Sequence, residues 1–571
     1  MPRKELAVDN VAEAYLALLA ERGVEYLFAN AGTDFAPLVE AFAKAARTGT
    51  PVPQPVLATH ENLAFSMAHG YAMVTRRVPA VMVHVSVGTA NGVCGALNAA
   101  RDNVPILFTA GRSPLTESGL PGARDVYIHW AQEMFDQAGM VREIVKWDCE
   151  LRNGEQLETV IDRALSIATT SPGGPVYLSL PREVLAAPLP GFSYDSPGRR
   201  VSAAPPAADK GAIDEAAQII AAAENPLIIT ASAGRDPAAV EALAEFARRF
   251  AIPVVQHRPR HLCLPADHPC HLGYDAAPYL DGADAILVLE CDVPWIPSLR
   301  APRPECRVIH LGVDPLFSRY PIRGFPCDLA VTGAAASALP ELGAALDRHV
   351  ADFAVSERRG RLAEQREALV AGWRKTRDGV ASMRPIHMAW ASACIARVKP
   401  EDAIIVNEYT LMPEHCGSNF PGSYFGSSTA SGLGWGGGAA LGAKLAAPDR
   451  LVIAVLGDGS HLFGNPVAVH HASAVHKLPV LFVVMNNSMW GAVRRATLGM
   501  YPQGEAARSN KPPLIDLDEL PAFEEVCAAS GGYGERVEDP AALPAALKRA
   551  VRAVTVEKRQ ALLNVICRGI D

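Results

Sequence analysis

LVIAVLGDGS (451–460) and VLFVVMNN (480–487) decide the reading of this chain. Each is a short apolar run that stops abruptly at polar residues, as a buried parallel strand does where it reaches the edge of its sheet. Ligands bind at that edge in open α/β sheets. In the first run Asp458 stands between Gly457 and Gly459, which let the backbone approach a bulky anion closely. The carboxylate of Asp458 and the amide oxygen of Asn487 are hard oxygen donors suited to magnesium. Asp-Gly alone is usually a turn and Asn-Asn alone a loop. Two strand ends in this order, with a helix-like segment between them, point to a clamp for a magnesium-bound diphosphate.

Outward from the clamp, the pattern of apolar strands alternating with helical stretches continues along the chain. Strands are expected at PVPQPVLAT, PAVMVHVS, VPILFTAG and GPVYLSLP in a first block, and at PLIITA, IPVVQH, AILVLE and RVIHLG in a second. A third block has AIIVNE, LVIAVLG, VLFVVMN and ALLNVIC. The segment 186–209, rich in Pro and Ala, reads as a linker, and 346–384 as a charged helix and connector. The expected fold class is α/β, with three consecutive parallel-sheet domains at 1–190, 205–345 and 385–571.

The 571 residues, 49% of them hydrophobic, supply cores for several domains. A net charge of −8 without a basic stripe argues against a nucleic-acid partner. No apolar run approaches the ~20 residues that cross a bilayer, and MPRKELAVDN lacks the apolar core of a secretion signal, so no membrane and a cytoplasmic location are expected. The 11 cysteines form no CxxC pair, and the histidines at 470, 471 and 476 and at 257, 261, 268 and 271 lack partners at ligand spacing.

Several further stretches carry a resemblance: NEYT (407–410), FPGSYF (420–425), SGLGW (431–435) and MNNSMWGAV (485–493). With GDGS (457–460), they make the chain similar to the thiamine-diphosphate-dependent 2-oxo acid decarboxylase and acetolactate synthase superfamily, nearest in motifs to the benzoylformate decarboxylases. The segment after GDGS is slightly long for that family, with the extra length in HLFGNP (461–466). The resemblance implies pyrimidine-binding, middle and diphosphate-binding domains, with thiamine diphosphate and magnesium as cofactors. It makes Asp458, Asn487 and the Met489 carbonyl the metal ligands. Gly457, Gly459, Ser460, Thr410 and Trp490 join the diphosphate site, with the Ser431 carbonyl and Leu433 holding the aminopyrimidine and its bent shape.

ATHENLAFSMAHGYA (58–72) resembles the segment carrying the family's activating glutamate, here Glu61. LFANAGTDF (27–35) resembles the turn after the first strand, with Asn30 and Gly32 as cofactor-site residues and the Thr33 hydroxyl facing the substrate. VMVHVSVGTANG (81–92) resembles the benzoylformate decarboxylase pattern of a histidine four residues before GTAN, which makes His84 the proton carrier and Asn91 a cofactor-site residue. The second histidine of that pattern is missing, with Pro297 in its place. The pyruvate decarboxylase pattern is missing too: only His129-Trp130 stands for its histidine pair, and Val493 for its late glutamate. Trp490 and Trp295 are candidates for an aromatic-tolerant pocket wall.

The expected activity is cleavage or formation of the bond next to a carbonyl, foremost decarboxylation of a 2-oxo acid. The alternatives are an acetolactate-synthase-type carboligase, a lyase for 2-hydroxyacyl-CoA or hydroxy ketones, and a non-catalytic cofactor-binding homologue. VIHLGVDP (308–315) makes FAD an alternative guest of the middle domain, disfavoured because no phosphate-binding glycine loop precedes it. A homodimer or homotetramer with shared sites is implied by the resemblance.

Overall fold

Three parallel sheets follow one another along the chain, as the alternation of apolar runs predicts. They are seen in a computed structural model that describes residues 3–199, 202–509 and 511–569. The first sheet has the order Gln54–Leu57, Tyr26–Asn30, Ala80–Val83, Leu107–Arg112, Val176–Pro181, Asp148–Glu150. The third runs Tyr424–Gly426, Ile404–Glu408, Val452–Gly457, Leu481–Asn486, Ala561–Ile566, Tyr533–Val537. Numbered by position along the chain, both read 2-1-3-4-6-5, so the outer domains share a topology that residue identity conceals. The middle sheet, Val254–Gln256, Pro226–Thr230, Ala285–Leu289, Arg307–Gly312, Leu329–Thr332, reads 2-1-3-4-5.

In all three sheets the strand order reverses between the first and third strands, and the crevice beyond their carboxyl ends is where such folds take ligands. In the third domain that crevice lies between Glu408 and Gly457, and in the first between Asn30 and Val83.

The strands are covered by helices on both faces, which is why they read as unbroken apolar runs rather than alternating ones. Two strands of the third sheet escape the sequence pattern. Both Tyr424–Gly426 and Tyr533–Val537 are short edge strands, the latter alternating between burial and exposure. The stretch read as a linker contains a strand, Phe192–Asp195, paired antiparallel with Arg3–Leu6. The charged segment after the middle domain is one helix, Asp352–Gly379.

One crossing fixes the first domain on the third. Helix Glu61–Thr75 packs on helix Trp435–Ala446 through glycines, with no room for a side chain. A Cβ on Gly70 would stand 2.0 Å from the Ala439 carbonyl oxygen, and one on Gly442 1.9 Å from that of Met67. Just beyond the crossing, Asn98 clasps Gly432 with two hydrogen bonds, Nδ2 to the carbonyl at 2.9 Å and Oδ1 from the amide at 3.0 Å. No helix among the described residues is long and apolar enough to cross a membrane.

Candidate active site

The third-domain half is assembled by Asp458. Gly457 ends its strand in register with Met485, so the two polar turns lie side by side. Asp458 is 3% exposed; its Oδ1 accepts the Gly459 N–H at 2.7 Å and its Oδ2 the Asn487 N–H at 3.1 Å. Its carboxyl is pushed up by burial, and among the described residues no cationic side chain pairs with it. Asn487 Oδ1 accepts the Met489 N–H at 3.2 Å and turns the chain so that the Trp490 ring covers Gly459. A Cβ on Gly459 would lie 2.5 Å from that ring, which explains the second glycine. Thr410 Oγ1 is buried without a partner, and its methyl group is 3.4 Å from the Cβ position of Gly457. Ser460 is buried beside them.

A buried carboxylate lacking a counter-ion and an orphan hydroxyl both carry a desolvation cost that a cation and a hydrogen-bonding anion would offset. The donor set therefore fits magnesium and a diphosphate. It holds one carboxylate only, in keeping with the absence, among the described residues, of any cluster of three or more His, Cys, Asp or Glu able to hold a metal. The extra length in HLFGNP becomes a turn: helix Asp458–Phe463 ends at Gly464, and Asn465 caps helix Pro466–Val475. His461 and His470 form a buried pair held by Gln560, remote in kind from a metal site.

Glu408 was not singled out by the sequence reading. It is buried, and its carboxylate accepts the N–H groups of Gly434 at 2.8 Å and Gly436 at 2.6 Å. It thereby secures the turn that carries Ser431, which has a φ of +56°, and half-buried Leu433. Burial outweighs these N–H groups and brings its pKa up to about 7. Between the ordinary value of 4.5 and about 7 the folded chain thus holds a proton that the unfolded chain has lost, so stability falls as pH rises. The expected slope is about 1.4 kcal/mol per pH unit inside that window. Urea unfolding of the wild type and Glu408→Gln at pH 5 and pH 7 checks this: the wild type should lose stability relative to the variant as the pH rises.

The first-domain half gathers at its own crevice. Glu61 opens helix Glu61–Thr75, yet it is only 7% exposed, unlike an ordinary first-turn carboxylate at a helix surface. Asn91 Nδ2 donates to its Oε2 at 3.0 Å. His84 is not within a strand as expected. The strand ends at Val83, and His84 is the residue before helix Val85–Arg101, because Val85 takes a φ of +30° and turns the chain. Such a φ is strained for a β-branched residue, a pattern that clusters at functional sites. The turn brings His84 Nδ1 to Asp34 Oδ1 at 2.5 Å, and this bond raises the imidazole pKa above 6.5. Gly32 makes room, since its Cβ would meet the ring at 2.1 Å, and Asn30 ends the strand that leads into it.

Thr33 Oγ1 faces His129 Nε2 at 3.4 Å, and His84 Nε2 faces the Gln132 amide at 3.3 Å. His129 is buried, and burial together with Arg182 lowers its pKa. The sequence reading set His129 aside for want of an adjacent partner histidine, and passed over Asp34 and Gln132. The loop from 113 to 135 that delivers two of them is folded back by Arg112 and Arg124 on Glu133 and by Arg182 on Asp125. Trp295 is not at the site. It lies in the middle-domain core against Phe325, with ring centroids 5.4 Å apart.

Within one chain Asn62 Nδ2 is 3.4 Å from the Leu433 carbonyl, but among the described residues no hydrogen bond or ion pair joins Glu61 or His84 to Asp458 or Asn487. The two halves are thus built separately, each at a sheet's switch point.

The comparisons with known proteins fall on these same elements. Residues 9–140 match the N-terminal TPP binding domain of thiamine pyrophosphate enzymes, 213–342 the central domain and 408–565 the C-terminal TPP binding domain. The chain is 27% identical to benzoylformate decarboxylase of Pseudomonas aeruginosa, over 96% of this chain and 97% of that one. It is 24% identical to the acetolactate synthase isozyme 3 large subunit of Escherichia coli, over 95% and 92%. A thiamine diphosphate-dependent 4-hydroxybenzoylformate decarboxylase of Rhodococcus jostii superposes with a TM-score of 0.77 at 24% identity, over 98% of this chain and 99% of that one, a likeness of fold. With all three domains present in order and both switch-point crevices furnished, the chain belongs to the thiamine pyrophosphate enzymes.

Proposed function

We propose that this protein is a thiamine-diphosphate- and magnesium-dependent lyase that decarboxylates a 2-oxo acid. The observation that carries the reading is the pairing of a buried, hydrogen-bonded Glu61 with a histidine bonded to a buried carboxyl group, His84, in one crevice. Bound thiamine diphosphate supplies the thiazolium carbon that attacks the substrate carbonyl and stores the charge left when carbon dioxide departs. Asp458, Asn487 and the Met489 carbonyl hold magnesium. Thr410, Ser460 and the backbone of Gly457 and Gly459 hold the diphosphate beneath Trp490, and Ser431 and Leu433 support the aminopyrimidine.

The remaining work belongs to side chains of the first domain. Glu61 exchanges a hydrogen bond with the aminopyrimidine ring, and Asn91, on its Oε2, keeps that carboxylate aimed. Thr33 orients the substrate carboxylate. His84 donates the proton that replaces carbon dioxide, the step that separates a decarboxylase from a carboligase. His129, kept neutral by burial, is the acceptor within reach of Thr33.

Because the clamp and Glu61 lie in separate crevices, we assign the working unit to a homodimer or homotetramer in which one subunit's first domain faces the partner's third. We place it in the cytoplasm. The middle domain is assigned no FAD. At its switch point the Glu290 carboxyl accepts the Val313 N–H at 2.9 Å and so occupies a backbone donor that a nucleotide phosphate would need.

The test is purified protein with thiamine diphosphate and magnesium, offered pyruvate, benzoylformate and longer 2-oxo acids singly, with Glu61→Gln alongside. Carbon dioxide and free aldehyde in equal amounts are expected, with the rate lowered about 10²- to 10⁴-fold by the substitution. An acyloin or acetolactate product would make the protein a carboligase. No turnover on any of them, with cofactor bound, would overturn the decarboxylase and point to a lyase for a CoA thioester or a hydroxy ketone, or to a non-catalytic homologue.

A further inference from the structure

Asp34 has no role in the account so far, and its surroundings are built for one. It is 3% exposed, in the turn Thr33–Phe35, and its Oδ2 has no partner among the described residues. Gly111, in strand Leu107–Arg112, makes space for it, since a Cβ there would lie 1.8 Å from Oδ2. Its single recorded hydrogen bond is Oδ1 to His84 Nδ1. A carboxylate sealed this far from water is unfavourable unless a positive group faces it. Among the described residues, the ring that meets it is that of His84.

The far side of the ring gives a second observation. His84 Nε2 faces the Gln132 side-chain nitrogen, while Gln132 Oε1 is buried without a partner. A half-turn of the amide, whose oxygen and nitrogen are assigned by their bonding network, sets that oxygen against an Nε2–H and gives the buried oxygen a partner. Both faces of the imidazole then meet acceptors, Asp34 on Nδ1–H and Gln132 on Nε2–H, the arrangement of an imidazolium.

We propose that Asp34 is the positioning residue of this site, locking the His84 ring through Nδ1 so that Nε2 holds the transferable proton. Asp34 touches neither substrate nor cofactor and acts only through His84. The inference rests on the reading of His84 as the proton donor, and it explains how one histidine serves where the benzoylformate decarboxylase pattern has two: the carboxylate favours the protonated ring and keeps it oriented between turnovers. The other titratable groups facing the ring are Glu61, which favours the proton, and His129, which opposes it and is itself held neutral.

The test is histidine titration by NMR on the full chain labelled at the imidazole Cε1, with the His84 signal assigned by its loss in His84→Asn. The wild-type His84 midpoint is expected above the ordinary 6.5, and Asp34→Asn is expected to lower it by about one pH unit or more. The alkaline limb of kcat/KM should move down with it. A wild-type midpoint at or below 6.5 overturns the proposal without any variant, and so does a midpoint that Asp34→Asn leaves in place. A lowered midpoint with an unmoved rate profile leaves the dyad standing and removes His84 from the reaction, so the two readings fail separately.

Discussion

Asp458→Ala should abolish magnesium-dependent binding of thiamine diphosphate, weakening it by at least about 100-fold, with little loss of fold. The effect is large because Asp458 does two things at once. It is the only carboxylate proposed to hold the ion, and its two oxygens accept N–H groups from both polar turns, Gly459 and Asn487. Removing it takes away the ion's charge partner and lets the turns separate. Asp458→Asn is the milder control: it keeps the shape and one acceptor while losing the charge. If binding depended on the glycines alone, the two variants would behave alike and close to wild type. Isothermal calorimetry with thiamine diphosphate in magnesium measures both.

The second large effect lies away from the chemistry. Gly442→Val is expected to lower thermal stability sharply, because its Cβ would stand 1.9 Å from the Met67 carbonyl oxygen, and a carbonyl inside a helix has nowhere to retreat. Overpacking of this sort costs about 1–3 kcal/mol and sometimes more, or several degrees in Tm for domains of this size at about 2–4 °C per kcal/mol. The same change would push helix Glu61–Thr75 away from helix Trp435–Ala446, so cofactor affinity should fall along with Tm. Gly372 is the contrast. It lies in helix Asp352–Gly379 with nothing within 4 Å of its Cβ position. Gly372→Ala should raise helix stability by about 0.5–1 kcal/mol. Differential scanning calorimetry of the two variants separates a helix-crossing glycine from an idle one.

The meeting of Asp458 with Asn487 was legible in the sequence because both sit at the ends of two fully buried strands, where an apolar run stops at a polar residue and marks the sheet edge. Glu61 was legible for a similar reason, following the strand Gln54–Leu57 by a few residues. The three-domain α/β architecture follows from the same alternation. The shared 2-1-3-4-6-5 order of the outer sheets did not, because strand order is decided by which helices cross which face and leaves no mark on residue identity.

What the sequence concealed is tertiary. Asp34 is one residue beyond Thr33, and only the adjacency of strands Tyr26–Asn30 and Ala80–Val83 brings it to His84, fifty positions on. An Asp in a turn after an apolar strand, two residues after Gly32, is the signal that was available. His129 depends on a loop held by three arginines, whose pairing no periodicity encodes. Glu408 meets its partners only after the chain returns through the glycine turn at 434. Trp295 erred the other way: an aromatic side chain two residues before Pro297, the place of the family's second histidine, suggested a pocket wall, and burial in a core was the stronger pull.

The most direct test of the account is a titration of the purified wild-type chain with thiamine diphosphate, once in magnesium and once in excess chelator. The account predicts saturable binding that needs the metal and is lost in Asp458→Ala. Equal binding with and without the metal, or binding that survives Asp458→Ala, would contradict the clamp on which the rest of the site depends.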